Sequence, residues 1–181
     1  MILIDPELEP DPAPASTAAA QTVASGPLRN LRLPSTRALS RFLAKAQAAV
    51  RLRGQVTVLL TTGRQIRRLN RRFRGKDKPT DVLSFPATPL RNAKPAERVA
   101  GDVAVSVPTA RRQAAELGHS LAVELKVLIL HGLLHLASYD HETDSGRMHR
   151  RERDLRARLG LPQGLIERTK AGSTGARSRT P

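Results

Sequence analysis

The longest apolar segment of the chain, Leu121 to Ala137, is the feature that most restricts its fold. It is interrupted by only a few ionisable residues, Glu124, Lys126, His131 and His135. A helix of this composition must be buried on most of its faces, which requires other elements packed around it. The segment is too short and too polar to span a membrane. The sequence therefore predicts a soluble domain built around one central helix.

Periodic patterns elsewhere in the chain predict the elements that cover this helix. Apolar residues recur at helical spacing between Ser35 and Val50. Runs of alternating or β-branched residues predict strands at MILID, GQVTVLLTT, TDVLSF and GDVAVSV. Further helical patterns run over residues 63–73, 108–117, 120–137 and 144–159. The fold class is therefore predicted to be α+β, a small mixed β-sheet covered by about five helices, with the order of the strands left open.

The two ends of the chain differ in composition from its middle. Residues 9–34 are rich in Pro, Ala, Ser and Thr and lack periodicity, and the last residues are basic and polar. We therefore expect three parts. Residues 1–34 would form an N-terminal strand followed by a flexible Pro/Ala-rich insertion, residues 35–161 the folded domain, and residues 162–181 a basic disordered tail.

Three histidines around the end of the central helix predict a metal site. The stretch HGLLHLASYDH places His131, His135 and His141 at offsets 0, 4 and 10. The first two would project from one helix face, one turn apart, and the turn-like Ser-Tyr-Asp sequence would bring the third back toward them. Three neutral imidazoles leave a fourth position for water, which is the pattern of catalytic rather than structural zinc sites. The candidate metal site thus lies at the end of a buried helix.

The residue after the first histidine distinguishes between classes of hydrolase. Zinc peptidases with this spacing carry a Glu there as their general base. Here the position is Gly132, which can neither accept nor deliver a proton. Asp140, Glu142 and Asp144 could each orient a histidine or act as a base, although capping of the last helix is the simpler role for Asp144. The motif therefore predicts metal-activated water and disfavours peptide hydrolysis.

The charge of the chain predicts a polyanionic partner. Thirty-one Lys and Arg residues against 16 Asp and Glu give a formal net charge of +15. Within the helix predicted over 63–73, Ile66, Leu69 and Phe73 would face inward. Many of the basic residues lie on its other face and in the loop that follows: Arg64, Arg67, Arg68, Arg71, Arg72, Arg74, Lys76 and Lys78. Aromatic residues make up only 2% of the chain, so binding to a nucleic acid should be mainly electrostatic and salt-sensitive.

Three motifs together resemble the YbeY family of bacterial rRNA endoribonucleases and ribosome maturation factors. They are FRGKDKPTDVLSFP (Phe73–Pro86), GDVAVS (Gly101–Ser106) and HGLLHLASYDH, and the resemblance covers roughly residues 35–161. It implies that His131, His135 and His141 bind one Zn²⁺ ion, and that Arg74 is a catalytic residue.

The resemblance also implies a function and a set of partners. The protein would be a zinc-dependent, single-strand-specific endoribonuclease, a hydrolase of RNA phosphodiester bonds, in late rRNA maturation and ribosome biogenesis. Its partners would be ribosomal RNA and the small ribosomal subunit or its proteins. It would act in the cytoplasm and would need neither a membrane nor a nucleotide cofactor.

One departure from the family and two other functions bear on this interpretation. Ser138 stands where the family has Gly, and a left-handed conformation there would cost Ser about 1 kcal/mol. A ribosome assembly factor without catalytic activity, in which the metal only fixes the turn at His141, remains an alternative. A metallopeptidase is a further alternative, which Gly132 disfavours.

Overall fold

The computed structural model describes residues 1–8, 32–88, 94, 97–140 and 144–163. These residues form four strands and five helices, which confirms the predicted α+β class with its small mixed sheet. In chain order they are β1 (Ile2–Ile4), α1 (Thr36–Val50), β2 (Gln55–Thr61), α2 (Gly63–Arg74), β3 (Val82–Pro86), β4 (Val99–Ser106), α3 (Val107–Leu117), α4 (Leu121–Leu136) and α5 (Arg147–Leu159). Most of the predicted insertion and tail lie outside the described residues, as do His141 and Glu142.

The sheet has the strand order β1-β2-β4-β3. Strands β1, β2 and β4 are parallel, and β3 runs antiparallel to β4 at one edge. Side chains alternate between the two faces of the sheet. Val103 and Val105 of β4 belong to the large core that includes α1 and α4, whereas Ala104 packs with Ile66 of α2 on the other face. Helices therefore cover both faces of the sheet.

Helix α4 lies at the centre of the core, as its composition predicts. It begins after Ser120, whose hydroxyl accepts a hydrogen bond from the Val123 amide at 3.3 Å. Its largest apolar side chains are fully buried: Leu121, Leu125, Ile129, Leu130, Leu133 and Leu134. Each such burial contributes about 1.5–3 kcal/mol to folding. This packing fixes the axis of the helix, and with it the directions in which His131 and His135 project.

In the described part of the chain, no single helix is long and apolar enough to cross a membrane, while α3 and α4, bent by 114° at their junction, meet the length and composition criterion as a pair.

The prediction that Phe73 faces inward is wrong. Phe73 is 57% exposed, although Ile66 of the same helix is fully buried. The cluster under α2 is small, comprising Ile66, Leu83 and Ala104 with Leu69 and Phe85 packed against it. Phe73 lies in the last turn of α2, where its ring contacts Phe85 near the end of the edge strand. The helix thus extends beyond the apolar surface that the sheet offers.

Candidate active site

The last two turns of α4 bring the first two predicted metal ligands together. The Nε2 atoms of His131 and His135 lie 3.1 Å apart, and their rings are inclined by 72°. Two nitrogens bound to one tetrahedral zinc ion at 2.0–2.1 Å would lie about 3.3 Å apart. The pair therefore fits two ligand positions on one ion. Among the described residues no group of three or more His, Asp or Glu side chains converges on one point, so the role of His141 stays a prediction.

A carboxylate from the last helix orients His131. With its proton on Nδ1, the imidazole donates to Glu152 Oε2 at 3.0 Å, which leaves the Nε2 lone pair facing His135. The other carboxylate oxygen of Glu152 accepts from Arg156 Nε at 2.9 Å. Burial raises the pKa of Glu152, but the hydrogen bond from His131 and the charge of Arg156 outweigh it and lower the pKa to about 2. Glu152 is therefore an ionised partner of the histidine at neutral pH.

Sequence reasoning missed Glu152 because the residue lies 21 positions after His131, on another helix. The only local signal is its spacing of four residues from Arg156, which is indistinguishable from an ordinary surface ion pair. Of the carboxylates that the sequence did suggest, Asp144 lies just before Gly146, the N-cap of α5, and its Oδ2 accepts from the Met148 amide of the first turn at 2.8 Å. This confirms the simpler role for Asp144. Asp140 lies in the cleft that contains His135.

Gly132 faces the sheet, and the packing there leaves no room for a side chain. A Cβ atom at this position would lie 2.6 Å from Val103 Cγ1 and 3.2 Å from Ser84 Oγ. The Ser84 hydroxyl also donates to the Gly132 carbonyl oxygen at 3.1 Å. A Glu at position 132 would require the buried Val103 side chain or the helix itself to shift, since even its Cβ would overlap Val103. The absence of the peptidase base is thus enforced by helix–sheet packing.

The predicted left-handed position at Ser138 is confirmed. Its φ is 64°, and the chain leaves α4 through paired hydrogen bonds, from the Ser138 amide to the His135 carbonyl and from the Tyr139 amide to the Leu134 carbonyl, each 3.0 Å long. This is the helix-terminating arrangement in which Gly is favoured. Ser138 therefore adopts a strained conformation immediately after the histidine pair.

Replacing Ser138 with Gly should raise the free energy of unfolding by about 1 kcal/mol, because Gly enters the left-handed region without steric cost. Urea denaturation would measure the change. Ser35→Gly is the matched control, since Ser35 caps α1 with an ordinary φ of −61°. That control should lose a few tenths of a kcal/mol. Equal shifts in the two variants would contradict the assignment of strain to Ser138.

Arg74 and His135 lie on the same open cleft. The cleft has a volume of about 540 Å³ and is lined by Arg74, Lys76, Ser84, Pro86, His135, Ser138, Tyr139 and Asp140. His131 lines a neighbouring cavity of about 290 Å³, which Glu124 and Arg156 also line. The structure thus brings together the predicted catalytic arginine and one of the predicted metal ligands.

The loop after Arg74 is fastened to α2. Asn70 is only 3% exposed, and its Nδ2 donates to the Lys78 carbonyl at 2.7 Å. Arg67 donates two hydrogen bonds of 2.9 Å to the two carboxylate oxygens of Asp77, and the hydrogen bond lowers the pKa of that carboxyl. Sequence reasoning missed Asn70, whose only signal is a polar residue one turn after Ile66 on the inner face of the helix. These contacts fix the backbone from which Arg74 and Lys76 project.

The family model and two of the most similar relatives of this sequence carry the same family name. The sequence model of the family described as Endoribonuclease YbeY matches residues 25–160. A Koribacter versatilis protein named Endoribonuclease YbeY is 54% identical over 135 residues, covering 75% of this chain and 84% of that protein. A Solibacter usitatus protein of the same name is 46% identical over 134 residues, covering 74% and 86%. A solution structure from Thermotoga maritima aligns with a TM-score of 0.48 at 26% identity, over 80% of this chain and 96% of that one.

Proposed function

The chain belongs to the YbeY family of endoribonucleases, which are RNA-cleaving hydrolases, and we propose that it cuts single-stranded RNA with the help of one bound zinc ion. The observation that carries the proposal is the 3.1 Å approach of the His131 and His135 Nε2 atoms, together with Arg74 on the cleft that His135 lines. A set of neutral nitrogen donors suits zinc.

In this proposal His131, His135 and His141 hold the ion. When bound, zinc would supply a water molecule whose pKa falls from about 15.7 toward about 7, and a Lewis acid for a phosphoryl oxygen. Glu152 holds His131 in the tautomer that presents Nε2 to the ion. The left-handed turn at Ser138 begins the path that leads toward His141.

Arg74 would bind the phosphodiester that is cut. Arg74 is exposed and lines the cleft, so its guanidinium can donate two hydrogen bonds to the non-bridging oxygens. Negative charge grows on these oxygens during the attack on phosphorus, and donors already in place stabilise that charge more than they stabilise the substrate. Arg74 would therefore act on the transition state.

The basic surface beside the cleft would bind the RNA backbone. Arg64 and Arg67 are paired with Glu7 and Asp77, which lowers their availability to phosphates. Lys76 is exposed, lines the cleft, and forms no ion pair with the described residues. Within α2 and its loop, the positive charge that remains open to RNA thus lies mainly toward the C-terminal end of the helix and in the loop.

This charge distribution makes a prediction about salt. RNA affinity should fall as salt rises, and Lys76→Ala should reduce the slope of log K against log salt by about 0.7, the value for one lost phosphate contact on a single strand. Arg64→Ala, which removes a charge already paired with Glu7, is the control and should change the slope less. Fluorescence anisotropy with a labelled oligonucleotide would measure both. Equal slopes for wild type and Lys76→Ala would exclude Lys76 from the RNA interface.

We further propose that the RNA substrate is ribosomal, cut late in rRNA maturation in the cytoplasm, with the small ribosomal subunit or its proteins as the partner. The support is the family resemblance of the three motifs and the net charge of +15, which suits a particle rich in phosphate. Binding of purified small subunits, compared with large subunits at the same salt concentration, tests this part separately.

The metal requirement is tested by removing the ion. We expect the purified protein to carry one zinc ion per chain, to lose RNA cleavage after chelation, and to regain it when zinc is added back. His135→Ala should lower the zinc content, and a duplex RNA should be cut more slowly than a single strand. Cleavage by the metal-free protein at the rate of the zinc-loaded protein would overturn the proposed mechanism.

A further inference from the structure

We propose that Phe73 is a stacking platform for one unpaired base of the RNA, at the rim of the cleft. This inference rests on the proposed function, since it names a contact of the same substrate. The proposed stacking adds an aromatic contact to a surface for which the sequence predicts mainly electrostatic binding of RNA. A single platform is consistent with the low aromatic content of the chain, because it would hold one base while the lysines and arginines hold the backbone.

The exposure of the ring is the first observation. Phe73 is 57% exposed, whereas Phe42 is 8% exposed and Phe85 is only partly accessible. The chain has three Phe, one Tyr and no Trp, so Phe73 is the only large aromatic side chain that the described structure presents mainly to solvent. An isolated exposed apolar residue is ordinary on a protein surface. The surroundings of this ring give it a more specific meaning.

The second observation is that the ring is held in place relative to the cleft. Its centroid lies 5.0 Å from that of Phe85, with the two ring planes inclined by 65°. Phe85 belongs to the edge strand β3 and packs on the α2 face of the sheet, while its neighbours Ser84 and Pro86 line the cleft from the other face of the same edge strand. The next residue after Phe73 is Arg74, which lines the same cleft. A base on Phe73 would therefore belong to a nucleotide close to the phosphate at Arg74.

The third observation is the charge around the ring. The guanidinium carbon of Arg72 lies 5.5 Å from the centroid of Phe73, over the ring. Arg72 is exposed, so its guanidinium can move to admit a base and then cover the opposite face of that base. Single-stranded RNA is commonly held between aromatic rings and arginine planes in this way. The basic neighbours make a nucleotide a more suitable occupant than an apolar peptide.

The absence of tryptophan allows a direct test. Phe73→Trp introduces a unique fluorophore, and stacking of a base on the indole should quench its emission. Stopped-flow mixing of this variant with a short single-stranded RNA would record binding before cleavage. The same RNA backbone without bases serves as the comparison. We expect quenching by the complete RNA and little quenching by the abasic strand.

Phe73→Leu separates stacking from packing, because leucine retains an apolar contact with Phe85 but offers no aromatic plane. This variant should keep the wild-type unfolding midpoint and the wild-type affinity for the abasic strand, and should bind the complete RNA about 5- to 150-fold more weakly. Equal quenching by both strands, or equal RNA affinity of wild type and Phe73→Leu, would overturn the platform. Normal RNA cleavage by the wild type in the same preparation would then show that the platform alone had failed. A wild type that neither binds nor cuts RNA would overturn the proposed function with it.

Discussion

Replacing Arg74 with Ala should slow RNA cleavage by about 100- to 1000-fold, the loss seen when one preorganised donor to a developing oxyanion is removed. Zinc content and the unfolding midpoint should stay unchanged, because Arg74 is exposed and is not one of the proposed metal ligands. The backbone beneath it is fixed independently by the Asn70 and Asp77 contacts. Single-turnover cleavage at saturating enzyme would isolate the chemical step from RNA binding.

Two further variants make this result specific. Arg74→Lys keeps the charge but loses the planar fork, so it should recover only a minor part of the activity. Arg68→Ala removes another exposed arginine from the same helix, whose side chain hydrogen-bonds to Gln65, and should leave the single-turnover rate nearly unchanged. Equal rates for wild type, Arg74→Ala and His135→Ala would identify a contaminating nuclease. A normal rate for Arg74→Ala beside an inactive His135→Ala would remove Arg74 from the mechanism.

The second large effect is expected at Glu152. Glu152→Gln should weaken zinc binding by about 10- to 100-fold, the usual consequence of changing the partner of a metal-binding histidine. The amide has nearly the same shape but no charge, so it would make the imidazole of His131 a weaker donor to the proposed zinc ion. It also leaves Arg156 without its ionic partner. Competition of the protein with a coloured zinc chelator would measure the affinity without any reference to RNA cleavage.

Asp154→Asn is the matched control for Glu152→Gln. Asp154 lies on the same helix, its side chain is 60% exposed, and it contacts Arg153 at the surface. Removing its charge should leave zinc affinity within experimental error of the wild type. If Glu152→Gln bound zinc as tightly as Asp154→Asn, the hydrogen bond to His131 would have no influence on the site. Denaturation of both metal-free variants would show whether any loss of affinity arises from unfolding.

Much of the fold could be predicted from the sequence because its signals are local. The apolar composition of Leu121–Ala137 required a buried helix, and the structure has α4 in the core. The left-handed turn at Ser138 was expected from the family resemblance, because a Gly at that position is typical of a left-handed helix end; the serine itself gives no such signal. The order of the strands could not, since pairing β2 with β4 and placing β3 at the edge depends on contacts between distant parts of the chain.

The site was predictable to a smaller extent for the same reason. The spacing of His131 and His135 on one helix determines their approach, so the sequence alone was sufficient there. Glu152 reaches His131 from a different helix, and Asn70 is buried because the following loop folds over it. Phe73 follows the helical period yet lies beyond the edge of the apolar surface. In each case the position of the side chain depends on another element of the fold, and the local pattern of apolar residues does not predict where that element lies.

The contact between Gly132 and Val103 has a consequence for redesign of this scaffold. Adjacent positions of α4 are constrained differently. His131 projects from one side of the helix, whereas residue 132 faces the sheet and must remain small. A designer who wished to give this fold a peptidase's base could not do so by a single substitution at 132. The proton acceptor would have to be introduced from another element bordering the cleft, such as the Ser84 position of β3. New catalytic groups can therefore be introduced at residues that line the cleft, without altering the helix that carries the histidines.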